Sequence, residues 1–286
     1  MTTKHRVAVV ADSSASLPAT GSRPSYGVPM QLTVGGATYA DGHDLTATEF
    51  YRLQRRSDEL STTAAPPPGA FAEAFRSAAG EAESVLCLTV SQRFSSTFDS
   101  ATLAADEVRE ERPDTRIEVV DTESAAGGSG LVATAACRAV DAGSDLDGVV
   151  AAIAAVIPRV FLVAYLDSLF YVWKSGRIPR IAYASSSLLG IKPVFEMHRG
   201  EVKSLARPRS AARAQRRLVD EVRRRAGDAP VHAAIVHADA AGLAAELQRT
   251  INAEIACAEL YVSEFSPVMG AHTGPGLLGV AFWSEG

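Results

Sequence analysis

Short runs of apolar and β-branched residues recur along the chain, most of them followed by a stretch whose apolar positions return at helical spacing. The runs are Val7–Val10, Val28–Val34, Ser84–Val90, Ile117–Val120, Phe161–Tyr165, Ile191–Phe195, Val231–Val236 and Ala256–Val262, with a last apolar strand after the Gly-Pro-Gly stretch at 274–276. Strand alternating with helix is the arrangement of crossover units, and it predicts an α/β fold with mainly parallel or mixed sheets. Gly35-Gly36, between Val28–Val34 and Ala37–Ala40, adds one hairpin, because two glycines accept the positive φ of a tight turn.

Boundary signals sharpen several elements. Thr46-Ala47-Thr48-Glu49 is a capping box that opens a helix through Phe50, Tyr51 and Leu53, with a stop near Ser57. Pro66-Pro67-Pro68-Gly69 opens another, Ala70–Ala79, since proline costs no hydrogen bond in a first turn. The preceding Ser61-Thr62-Thr63 is expected to be extended and exposed. The longest apolar stretch, Ile157–Trp173, is interrupted by Pro158, Arg159 and Asp167, so it reads as a buried strand followed by a helix, not as a transmembrane segment. A polar segment around Asp141–Asp147 precedes the division into two α/β domains, which we place at 1–158 and 159–286.

Composition narrows the function classes. The 286 residues are 47% hydrophobic and 21% charged, enough for a substantial core, and the net charge of -5 argues against nucleic acid as the main ligand. Cys87, Cys137 and Cys257 stand far apart at neither metal nor redox spacing, as small core residues of a reducing compartment do. Lys4, His5 and Arg6 precede an apolar run too short for a secretory signal, which points to the cytoplasm. Gly128-Ser129-Gly130-Leu131-Val132-Ala133 fits the alanine variant of the dinucleotide fingerprint. Five residues, Thr122 to Ala126, separate it from Asp121 at the strand end, however, so a close helix-packing turn is the better reading. No P-loop, nucleophile elbow or metal-spaced His/Glu pair is present, and no cofactor is expected.

Polar chemistry gathers at strand and helix ends. Met269-Gly270-Ala271-His272-Thr273-Gly274-Pro275-Gly276 sets one histidine in a glycine-proline loop where backbone can approach a ligand. Ser91-Gln92-Arg93-Phe94-Ser95-Ser96-Thr97-Phe98 lies between a strand and a helix, so its hydroxyls either cap that helix or help receive an anion. Lys174-Ser175-Gly176-Arg177-Ile178-Pro179 looks like a helix stop. Arg207-Pro208-Arg209-Ser210 leads into Arg213, Arg216, Arg217, Arg223, Arg224 and Arg225, mostly a solvated basic face. Arg209 precedes the helix and can turn toward a carboxylate or phosphate.

Taken in order, these motifs resemble the DegV family of fatty-acid-binding proteins, the FakB-type subunits that present acyl chains to a fatty acid kinase. The resemblance runs from Ala11-Asp12-Ser13-Ser14 through Val28-Pro29-Met30, Tyr39-Ala40-Asp41 and Thr63-Ala64-Ala65-Pro66. It continues at Ser95-Ser96-Thr97, Gly176-Arg177-Ile178, Ile191-Lys192-Pro193 and Arg209-Ser210, and ends at His272-Thr273-Gly274-Pro275-Gly276. It implies a non-catalytic lipid carrier with the ligand at the interface of the two domains, its tail in a tunnel and its carboxylate held by Thr63 and Ser95, with Ser96, Arg209 and His272 at the same end. Arg177 would contact the partner kinase or its phosphate, and the acyl phosphate formed would supply phospholipid precursors. Burying about fourteen methylenes at ~0.8 kcal/mol each contributes roughly 11 kcal/mol before association costs. Three departures bear on the head-group site: Ser96 and Ser175 stand where the family has glycine, and Ala64-Ala65 where it has serine-glutamine. A different class, an acyl-ester hydrolase using Ser95 and His272, is the alternative.

Overall fold

The computed structural model describes residues 5–22, 24–56, 60–176 and 190–285. Along the chain, β1 (His5–Asp12) and β2 (Tyr26–Val28) precede β3 (Gln31–Val34), β4 (Ala37–Ala40), α1 (Ala47–Gln54) and β5 (Thr62–Ala64). Next come α2 (Pro68–Glu81), β6 (Ala82–Thr89), α3 (Thr97–Glu111), β7 (Arg116–Asp121), α4 (Gly127–Asp141) and α5 (Leu146–Val156). After a short 3-10 turn at Ile157–Arg159 come β8 (Phe161–Tyr165), α6 (Phe170–Ser175), β9 (Val194–His198), β10 (Glu201–Ala206) and α7 (Ala211–Ala226). The remainder is β11 (Val231–His237), α8 (Ala241–Glu254), β12 (Cys257–Glu264), α9 (Pro267–Thr273) and β13 (Leu278–Ser284).

The first sheet has the order β2-β1-β6-β7 and is parallel throughout. Its two inner strands carry unbroken apolar runs, Val7–Ala11 and Val85–Leu88, because both faces are covered there. Ala8, Val10, Val85 and Cys87 meet Phe71 and Phe75 of α2 and Ala101 and Ala104 of α3. The alternate residues, Val7, Val9, Leu86 and Leu88, meet Val132 and Ala136 of α4 and Val149 and Ile153 of α5. The second large sheet, β10-β9-β8-β13-β11-β12, is antiparallel except for the β11–β12 pair. One face packs under α7 and α8, with Val163, Ile235 and Val280 against Leu218, Val222 and Ile251. On the other face Leu162, Ala164, Val236 and Ala281 share a core with Leu131 of α4, Phe50 and Tyr51 of α1, and Leu32 of β3.

Helix α4 thus packs against both large sheets, and its glycines make this possible. A Cβ on Gly127 would lie 2.8 Å from Val236 Cγ1, and one on Gly130 only 2.1 Å from the Ser16 carbonyl oxygen. The 128–133 segment is a helix start pressed against neighbouring backbone, so the packing requirement explains the glycines.

Several elements differ from the sequence reading. Val28–Val34 is two strands in two sheets: β2 ends at Val28, and β3 pairs with β4 and β5 in a separate three-stranded sheet. Pro29, which has no N–H, sits at the break, while Met30 N–H donates to Ser13 Oγ at 3.0 Å. The strand expected at Ile191–Phe195 begins at Val194 and pairs with β10, which the sequence reading lacked. The basic face of α7 is largely neutralised. Arg216 and Arg223 pair with Glu254, Arg217 and Arg224 with the buried Glu221, and Arg225 with Glu196 while lying 4.3 Å from the Phe161 ring centroid. The three cysteines are free, and burial raises each thiol, Cys137 to about 12. Among the described residues no helix is long and apolar enough to cross a membrane. We propose 158/159 as the domain boundary, between α5 and β8.

Candidate functional site

The carboxyl ends of parallel strands are where open α/β sheets place their ligands. Here the loops leaving β1, β6 and β7 contribute Ser14, Val90 and Ala125 to a cavity of about 390 Å³, within the roughly 300–1,000 Å³ range of small-ligand sites. Its other walls come from β5 and the residue after it (Thr63, Ala64, Ala65), from β9 and β10 (Phe195, Met197, Val202), from α6 (Val172, Ser175) and from α9 (Val268, Met269, His272, Thr273). Met30, Phe94, Ser95 and Ser96 also line it. Most of this lining is apolar, and the polar atoms are hydroxyls and one imidazole.

Two buried carboxyls organise the loops around the cavity. Asp12, 4% exposed, accepts from Val90 N–H at 2.6 Å and from Ser14 N–H at 2.9 Å. Asp41, 3% exposed, accepts from Ser13 Oγ at 2.6 Å and from Val268 N–H at 2.9 Å, which ties the end of β1 to the first turn of α9. Burial raises both carboxyls above the ordinary value, against the opposing effect of these hydrogen bonds.

Thr63 Oγ1 and His272 Nε2 lie 2.8 Å apart. They come from segments 209 residues apart in sequence, brought together because α9 packs on the small sheet. His272 is on the last turn of α9, not in a loop: Pro267 stands in the first turn of that helix and Gly274 caps its end at φ +73°. A Cβ on Gly274 would fall 2.0 Å from the Tyr171 ring, so the chain passes against α6 as only glycine allows.

Ser95 and Ser96 lead into α3. The Ser95 hydroxyl accepts from Thr97 N–H at 3.3 Å and shares a 2.7 Å hydrogen bond with the Thr97 hydroxyl. Ser96 has φ -81°, open to any residue, so the turn does not require glycine there. Ser175 donates to the Val172 carbonyl at 2.8 Å, and Gly176 keeps the left-handed helix end at φ +70°.

Four of the six expected residues, Thr63, Ser95, Ser96 and His272, therefore line one cavity. Arg209 is exposed just before α7 and is not part of the lining. Arg177 lies outside the described residues. The Ser95 hydroxyl is engaged with Thr97 and the His272 ring with Thr63. The sequence reading assigned no role to Ser14. Its hydroxyl is buried, 2% exposed, beside the Asp12 carboxyl, which it holds down by hydrogen bonding against the effect of burial, and the Asp-Ser-Ser motif at the strand end was the available signal. Nor did it identify Met30, Phe94, Phe195, Met197 or Met269, since an apolar residue facing a cavity and one facing core look alike in sequence.

This architecture is an α/β fold with a mostly apolar cavity that has a few polar groups in its wall. The chain belongs to the DegV family, whose sequence profile matches residues 6–285. A DegV domain-containing protein of Streptomyces coelicolor is 34% identical over 98% of this chain and 99% of its own length. A fatty-acid-binding DegV family protein of Thermus thermophilus is 30% identical, with a TM-score of 0.89 over 98% of this chain and 99% of that one. Bacillus subtilis DegV, a fatty-acid-binding protein, shares the fold at 24% identity, with a TM-score of 0.86 over 98% and 100% of the two chains.

Proposed function

We propose that the cavity binds a long-chain fatty acid, its tail against the apolar wall and its carboxylate at Thr63, Ser95 and Ser96 near His272. The observation that carries this reading is the Thr63–His272 pair in the wall of an otherwise apolar cavity. If His272 Nε2–H donates to Thr63 Oγ1, the threonine proton is left to donate to an acceptor, which is what an anion leaving water requires. Ser14 lies in the same cavity wall. The Thermus relative, which binds a fatty acid, supports the ligand class.

The protein acts as a carrier: a separate fatty acid kinase phosphorylates the bound carboxylate, and the acyl phosphate enters phospholipid synthesis in the cytoplasm. The exposed position of Arg209 suits a contact with that kinase or its phosphate, and the resemblance gives the same task to Arg177. Mass spectrometry of lipid extracted from the unheated protein, with delipidated protein as control, should find a stoichiometric fatty acid. An empty extract with no uptake of added fatty acid would refute the reading. With a fatty acid kinase and ATP, acyl phosphate trapped as hydroxamate should appear, and Arg209→Ala should reduce it while leaving lipid binding intact.

A further inference from the structure

Of the chain's four methionines, Met30, Met197 and Met269 line the cavity. Met30, Met197 and Met269 come from three separate elements: the β2–β3 junction, β9 and α9. Nothing about backbone propensity asks for methionine at three such different places. What they share is the cavity.

In each case the backbone is held by hydrogen bonds or strand register. Met30 N–H donates to Ser13 Oγ, and the Met30 carbonyl accepts from Asp41 N–H at 2.9 Å. Met197 is registered between Leu162 of β8 and Val202 of β10. Met269 lies within α9, its carbonyl accepting from Thr273 Oγ1 at 3.0 Å. An unbranched side chain with three rotatable bonds and a polarisable sulfur fills irregular gaps and tolerates differently shaped neighbours, where leucine or isoleucine presents one fixed surface. A rigid frame with three soft wall segments suits ligands of one chemical class and several shapes.

We propose that Met30, Met197 and Met269 set the tail specificity of the site, allowing straight saturated, cis-unsaturated and methyl-branched acyl chains to bind with similar affinity. This rests on the fatty-acid reading above. Leucine is the natural test substitution because it nearly conserves volume while removing the flexible thioether.

The experiment compares the delipidated protein with the Met30→Leu/Met197→Leu/Met269→Leu variant, titrating each with three fatty acids of equal carbon number and the three tail shapes. For the parent protein the dissociation constants should agree within about threefold, and in the variant they should spread by about tenfold or more, the scale of a one-methyl misfit. Equal preferences in the two proteins, or strong discrimination by the parent, would overturn the proposal. No binding of any of the three to the parent would instead overturn the fatty-acid reading. If the variant does not fold, methionine methyl NMR of the parent decides. The methyl signals of Met30, Met197 and Met269 should shift on ligand addition, to positions that differ with tail shape. Identical positions in all three complexes would overturn the assignment.

Discussion

Thr63 and Ser95 hold similar hydroxyls in different circumstances, and their alanine variants should separate them. Removing either donor should weaken fatty acid binding by about 1–3 kcal/mol, the cost of leaving a buried charged acceptor short of a partner. Ser95→Ala should also lower the urea midpoint by about 1 kcal/mol equivalent, because its hydroxyl accepts from Thr97 N–H at the start of α3. The Thr63 hydroxyl, whose bond goes to the His272 side chain, should show the binding loss with a smaller stability change on removal. Unchanged affinity in both variants would remove the carboxylate site. Thr63, Ser95 and His272 were legible in sequence because each stands in a short polar motif at an element boundary. The Ser14 contribution was not, because its place in the wall depends on how the loops after β1, β6 and β7 come together.

At the scale of elements, α4 carries the most specific demand. Gly130→Ala would place a methyl group 2.1 Å from a backbone oxygen in the loop after β1, and it should cost about 1–3 kcal/mol of stability, as overpacking does. Gly80→Ala, in α2 with open space around it, should instead gain about 0.4–1 kcal/mol through helix propensity and a stiffer unfolded chain. Chemical denaturation of both variants checks the contrast, and equal effects would mean that packing does not explain the α4 glycines. Elements with strong local signals were readable: the capping box at Thr46 and Glu49 is present as expected, and the Gly35-Gly36 hairpin joins β3 to β4. The switch of sheet at Pro29 was not readable. Val28 and Leu32 are equally buried and apolar, and only tertiary pairing assigns them to different sheets.

For the whole molecule, the buried carboxyls give stability a definite pH sign. Asp12 and Asp41 are raised by burial above the ordinary value of 3.8, so the native state holds protons that the unfolded chain has released. Their contribution is fully present below 3.8 and is lost as pH rises through the raised values. His237 works oppositely: burial lowers it below 6.5, so its contribution is lost as pH falls. Asp41→Asn isolates the carboxyl effect. Between about pH 4 and 7 the stability of the parent relative to this variant should decline as pH rises. Unfolding midpoints across that range measure it, and a flat or rising difference would show that Asp41 is not the group responsible.

The strand order of the second large sheet also has a consequence for synthesis. β13, the last strand in sequence, lies between β8 and β11. Until it emerges, the ribosome-bound chain has β8, β9 and β10 on one side and β11 and β12 on the other, with no strand to join them. The wall formed by Phe195, Met197 and Val202 therefore waits for residues 278–284, whereas the first parallel sheet has all its strands by residue 121. Long-range pairing of this kind is the slow, aggregation-exposed part of folding. It makes assembly of the cavity wall wait until residues 278–284 have left the ribosome.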